Sequence, residues 1–146
     1  MRLTSFTDYS LRVLIHLALY PDRSWSIAEI ASIHGLSYNH LTKVISLLSR
    51  EGYLHTARGR SGGIRLARPV ETITVGEVVR DTEDGTELAD CPSCLLFRAC
   101  GLAPVFSEGV QAMLAVFDRY RVSDLLGSAA AMRRKVEARQ PGISVI

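Results

Sequence analysis

No stretch of this 146-residue chain stays apolar for the roughly 18 residues a membrane span requires, so no bilayer crossing is expected. The opening MRLTSFTDYS lacks the apolar segment and small-residue cleavage site of a signal peptide, which points to the cytoplasm. Cysteine is scarce: Cys91, Cys94 and Cys100 are the only three, all inside DCPSCLLFRAC. In a reducing compartment so small and tight a group argues against a disulfide framework and for metal or redox chemistry. The glycine-rich GRSGG is not followed by the Lys-Ser/Thr of a phosphate-binding loop, and the cysteines lack the βαβ context of a thioredoxin-like motif. With no base or substrate cleft evident around the thiols, an enzyme is not expected.

Charge is unevenly distributed behind a net +2. Residues 1–72 carry nine Lys/Arg against five Asp/Glu, and residues 73–146 carry eight against ten. Between Ser37 and Arg68 six basic residues (Lys43, Arg50, Arg58, Arg60, Arg65, Arg68) face only Glu51. That bias suits a surface for a polyanion, or else a solvated charged face.

Hydrophobic spacing predicts a helix from about Thr7 to Tyr20, with Leu11, Leu14, Ile15 and Ala18 on one face and Pro21 as its stop. A second helix opens at Ser26, with Glu29 completing a capping box, and closes at Gly35. A third starts after Ser37, buries Leu41, Val44, Ile45 and Leu48, and ends at Gly52. Two helices joined across Gly35-Leu36 read as helix-turn-helix. YLHTAR and IRLARP flank GRSGG as two short β-prone runs, a wing whose reversal uses Gly59, Gly62 and Gly63. The expected fold is mainly α with a small β-wing. It comprises a winged helix-turn-helix domain over residues 1–80, an acidic segment and cysteine loop over 81–103, a long helix over 104–127 and a C-terminal tail over 128–146. Thr74 and Glu77 form a second capping box, stapled by Ile73 and Val78. On the long helix Phe106, Val110, Met113, Leu114, Phe117 and Tyr120 share a face, expected to pair with a second copy of the chain unless it folds back on its own domain.

In a helix-turn-helix the second helix presents its N-terminal residues to the major groove. Here those are Ser37, Tyr38, Asn39, His40, Thr42 and Lys43. Asparagine can pair with adenine, lysine with guanine or phosphate, and the helix start can hold a phosphate on its N–H groups. Arg58, Arg60 and Arg65, with Ser61, Gly62 and Gly63 in the turn, form a slim basic hairpin suited to the minor groove. Double-stranded DNA is therefore the expected partner. For the cysteines, C-x2-C-x5-C leaves three readings open: an iron–sulfur cluster, a zinc site short of a fourth ligand, or redox thiols.

MRLTSFTDYSLRVLIHLAL, SYNHLTKVISLLSREGYL, RGRSGGIRLARP and VGEVVRDTE resemble the Rrf2 family of bacterial transcription regulators, from Met1 to about Leu126. LTSFTDYSLR with NHLTKVI is most similar to the nitric-oxide-sensing repressors of that family. The resemblance implies a homodimeric repressor of operator DNA that carries an iron–sulfur cluster on Cys91, Cys94 and Cys100 and releases DNA on exposure to nitric oxide. It also implies [4Fe-4S] ahead of [2Fe-2S], with Asp8 reaching from the partner subunit as fourth ligand. Asp8 would in any case suit the positive end of its helix dipole. The Cys91–Cys94 gap is shorter than the family pattern, which bears on cluster type and loop geometry. A family member that senses iron supply or cluster status would share all these motifs, and zinc- or thiol-based repressors are the remaining alternatives.

Overall fold

The computed structural model describes residues 2–60, 62–85 and 87–140. Helix α1 spans Ser5–Leu19, two residues earlier at its start than the spacing predicts. Thr4 is the reason: its hydroxyl accepts the Thr7 N–H at 3.4 Å and caps the helix. The buried stripe is also rotated. Val13, Leu14 and Leu17 are fully enclosed, whereas Leu11, Ile15 and Ala18 are only partly covered.

Helices α2 (Ile27–His34) and α3 (Tyr38–Arg50) form the helix-turn-helix. Ser26 and Glu29 make the full capping box, and Gly35 closes α2 at φ 64°, a left-handed conformation that disfavours a side chain. Leu41, Val44, Ile45 and Leu48 are the buried face of α3. Strands β1 (Leu54–Ala57) and β2 (Gly63–Leu66) pair antiparallel, with Leu54 opposite Leu66 and Ala57 opposite Gly63. Trp25 adds a third segment to the wing: its backbone exchanges both hydrogen bonds with Ile64, at 2.8 and 3.2 Å.

Helix α4 (Val75–Thr82) carries the Thr74–Glu77 capping box, with Ile73 and Val78 both buried. One core joins α1, α2, α3, the wing and α4 through Leu14, Trp25, Ile30, Leu48, Tyr53 and Val78. Helix α5 (Leu102–Phe117) follows the cysteine loop, with Pro104 in the first turn, where a missing N–H is harmless. Only Val110 and Leu114 of α5 are buried, packed on Val79. After α5 the chain returns to α4: Val75 N–H donates to Tyr120 C=O at 2.9 Å, and Val122 N–H to Ile73 C=O at 2.9 Å. Tyr120 thus lies beyond the helix on which the sequence places it. From Ser128, residues Ala129–Glu137 form α6, which buries Val136 in the main core. Residues 141–146 of the expected tail lie outside the described residues. No described helix is long and apolar enough to cross a membrane.

Candidate DNA interface and cysteine site

The start of α3 is set by Ser37, whose hydroxyl accepts the His40 N–H at 3.4 Å. Ser37, Tyr38, Asn39, Thr42 and Lys43 are exposed, and Thr42 donates its hydroxyl hydrogen to Tyr38 C=O at 2.9 Å. His40 stands apart. It is half-buried, with its ring 4.8 Å from that of Tyr9 and 5.7 Å from that of Phe6, so it links the reading helix to the first turns of α1.

On the wing, Arg58, Arg60 and Arg65 are exposed. Arg65 Nε donates to Ser24 Oγ at 2.5 Å, which ties β2 to the segment before α2. Gly59 and Gly63 hold φ of 104° and 134°, and a side chain at Gly62 would collide with the Ala57 carbonyl. Ser61 lies outside the described residues. Two of the six basic residues are engaged elsewhere: Arg50 pairs with Glu51 at 3.0 Å, and Arg68 pairs with Glu77 and lies over the Tyr53 ring. Lys43, Arg58, Arg60 and Arg65 remain as exposed cations on α3 and the wing. Periodicity gave no hint of Trp25 or Ser24 as wing supports, because the bridge they make is a single residue pair.

The route to the cysteines begins with a clamp. The Glu83 carboxylate accepts from Thr4 N–H at 2.8 Å, from the Thr4 hydroxyl at 3.1 Å and from the Thr7 hydroxyl. Thr7 and Thr82 hydroxyls are 2.8 Å apart. The end of α4 is thereby fixed to the positive end of α1, a favourable place for a carboxylate. No pattern of apolar residues could reveal this clamp, since its members are polar and 79 positions apart.

Beyond it the loop is a chain of tight turns. Asp90 holds Ser93 through its hydroxyl at 2.6 Å, Cys94 N–H donates to Cys91 C=O at 3.1 Å, and Cys100 N–H to Leu96 C=O at 2.8 Å. All three thiols are free; Cys91 is half-buried, and Cys94 and Cys100 are exposed. Cys91 also lines a cavity of about 230 Å³ with Leu88, Phe97, Phe106 and Val110.

Among the described residues no three His, Cys, Asp or Glu side chains converge as a closed metal site would need. Asp8 lies in the first turn of α1 and pairs with Arg12, at 2.8 and 2.9 Å. His16 and His34 hydrogen-bond each other at 3.0 Å, His40 packs on aromatic rings, and His55 is exposed on β1. In kind, the donor set of three unpaired thiols on a turning loop matches the thiolate ligation of an iron–sulfur cluster.

Helix α5 presents two faces. Phe106, Met113 and Phe117 are half-buried beside the enclosed Val110 and Leu114. The exposed apolar residues are Leu102, Val105 and Val116, and with Gly109 and Ala112 they repeat at alternating spacings of three and four. Leu95, at 98 % exposure, and Leu96 extend that apolar surface along the chain into the cysteine loop.

A capped reading helix behind a basic wing, on a core shared with α1 and α4, defines a winged-helix DNA-binding transcription regulator. The family model described as an iron-dependent transcriptional regulator, Rrf2, matches residues 3–128, and this chain belongs to the Rrf2 family. A relative from Shouchella clausii, the HTH-type transcriptional regulator NsrR, is 48 % identical over 132 residues, covering 86 % of this chain and 89 % of the relative. The solved structure of a transcriptional regulator from Listeria innocua superposes with a TM-score of 0.73 at 27 % identity, covering 88 % of both chains. That of T. potens IscR superposes at 0.70 with 25 % identity, over 91 % of both. The protein is a regulator of transcription, not an enzyme.

Proposed function

We propose that this protein is a homodimeric repressor whose hold on operator DNA is governed by an iron–sulfur cluster, and that nitric oxide is its signal. The observation that carries the reading is the placement of three free thiols on one exposed loop, whose stem is clamped through Glu83 to the helix bearing Asp8. Cys91, Cys94 and Cys100 would hold the cluster, and Asp8 of the partner subunit would complete it, with [4Fe-4S] favoured. When bound, the cluster supplies iron that reacts avidly with nitric oxide.

The chain's own residues carry the change to DNA. Asp8 has two competing uses, as partner of Arg12 or as ligand, and the ion pair is exposed enough to exchange at small cost. Phe6 and Tyr9 flank Asp8 and pack on His40, so a movement of the first turns of α1 reaches the reading helix directly. Asn39 and Lys43 read bases or phosphates from that helix, and Arg58, Arg60 and Arg65 anchor the wing. Two reading heads related by a two-fold axis suit a pseudo-palindromic operator, and a bias of a few kcal/mol between two dimer arrangements is enough to switch occupancy.

Anaerobically prepared protein should be brown and bind its operator. Nitric oxide should bleach it and weaken binding by about 100-fold or more. Equal operator affinity of holo and cluster-stripped protein would refute the reading, and a colourless protein with one zinc per chain would replace the cluster. The iron-dependent description of the family favours a second reading, in which cluster occupancy reports iron supply. Chelation that releases DNA where nitric oxide does not would select it.

A further inference from the structure

Neither DNA reading nor the cysteines use the cavity between α1, α2 and α6. It is about 450 Å³, within the range of small-molecule sites, and Ile15, Ile33, Met132 and Val136 supply apolar walls. His16, fully buried, and His34, half-buried, also line it, joined Nδ1 to Nε2 at 3.0 Å. The exposed Lys135 and Arg139 bring its charge, and among the described residues no acidic side chain lines it.

Unmet polar capacity reaches the cavity wall at His16 and continues behind it in Tyr20 and Trp25, which do not line the cavity. His16 Nε2, Tyr20 Oη and Trp25 Nε1 are buried with no partner among the described residues, and their three rings touch, at centroid distances of 4.3 to 5.5 Å. Buried polar atoms without partners are rare and unfavourable unless something completes them.

We infer that this cavity is a binding site for a small amphipathic carboxylate, its apolar body among Ile15, Ile33, Met132 and Val136 and its carboxylate facing Lys135 and Arg139. Apolar walls select the body, paired cations select the sign of the head group, and the space suits an acid of about eight carbons. The site touches the DNA-reading unit: Arg139 donates to Ile33 C=O at 3.1 Å, and Ile33 lies two residues before the Gly35 turn into α3. An occupant therefore bears on α2 by a route separate from the cysteines.

The test titrates octanoate into the full chain, followed by calorimetry and by the fluorescence of Trp25, the single tryptophan, which meets the His16 ring edge-on at 4.3 Å. One octanoate per chain should bind with a Kd below about 1 mM, with octylamine and octanol weaker by about tenfold or more. Lys135→Glu should weaken octanoate by about tenfold while operator affinity holds, and Ala138→Trp should fill the space and abolish binding. Octanol binding as well as octanoate, or indifference to both substitutions, would overturn the inference. So would a tenfold or greater gain in octanoate affinity on deleting residues 141–146, about 1.4 kcal/mol, because it would make that segment the occupant.

Discussion

The reading head and the cysteine segment with α5 are built on opposite terms. In the head, α1 to α4 each carry a side-chain cap, from Thr4, Ser26, Ser37 and Thr74, and two of these are full capping boxes. Trp25, Leu48 and Tyr53 are fully enclosed. By contrast, α5 begins at Gly101 with no side-chain cap, residues 92–100 are all exposed, and Leu95 is bare to solvent. The head closes its helix ends and its apolar core with its own residues. The second region leaves free thiols and large apolar side chains exposed.

The strongest way to break this contrast is to cut into each side. Leu48→Ala should destabilise the protein by about 2–5 kcal/mol, because a fully buried leucine leaves a cavity as well as lost transfer energy. Leu95→Ala should change the stability of dilute, stripped protein by less than about 0.5 kcal/mol. Urea unfolding measures both. Comparable losses at the two positions would place Leu95 in a cohesive interface and erase the distinction.

Acid should act on the head next most strongly. Burial, with His34 and Arg23 adding to it, lowers the His16 pKa to about 4, and burial lowers that of His34 as well. A group held neutral in the folded state gains its proton more readily when unfolded. Stability is therefore full above about pH 6.5 and falls as pH drops from there toward 4, by about 3 kcal/mol from His16 alone. Urea midpoints between pH 7 and 4.5 should follow that slope, and His16→Gln should flatten it. An unchanged slope would move the acid sensitivity to other groups.

How much of this was legible in the sequence follows the same divide. Ser26 with Glu29, Thr74 with Glu77, and Leu41-Val44-Ile45-Leu48 announce themselves, because capping and helical burial are local and periodic. Trp25 in the wing, Glu83 on Thr4 and Thr7, and Arg139 on Ile33 do not, because each is a polar or single-pair contact between distant positions. On the long helix the spacing marks the face from Phe106 to Tyr120 for a second copy of the chain, with folding back on its own domain as the alternative. Val110 and Leu114 of that face pack on Val79 of the same chain, which leaves Leu102, Val105 and Val116 outward. His40 is a candidate base contact by its position, and its packing on Tyr9 is a contact the spacing does not reveal.

The exposed wing cations sharpen the comparison from the DNA side. Arg60→Ala should weaken operator binding by about 1–3 kcal/mol if the side chain enters the groove, and lower the salt slope by about one if it meets a phosphate instead. Arg50→Ala is the control within the same basic segment, since Arg50 is engaged with Glu51. Fluorescence anisotropy at several salt concentrations separates the cases, and equal effects at both positions would dissolve the assignment of the wing.

The smallest effect on folding should come from Asp8, the residue proposed to link the two regions. Asp8 lies half-exposed in the first turn of α1, and its pair with Arg12 is 45 % exposed on each side. Exposed i,i+4 pairs add little, and a carboxylate at a helix start adds about 0.3–1 kcal/mol. Asp8→Asn should therefore lower the stability of stripped protein by under about 1 kcal/mol, and Arg12→Gln by no more. If Asp8 also serves the cysteines of a second protomer, the same substitution should shorten cluster lifetime or alter the nitric oxide response far beyond what that small loss explains. Arg12→Gln, by releasing Asp8, should act in the opposite direction. Matching cluster lifetimes in wild type and Asp8→Asn would confine Asp8 to the head and send the search for a fourth ligand elsewhere.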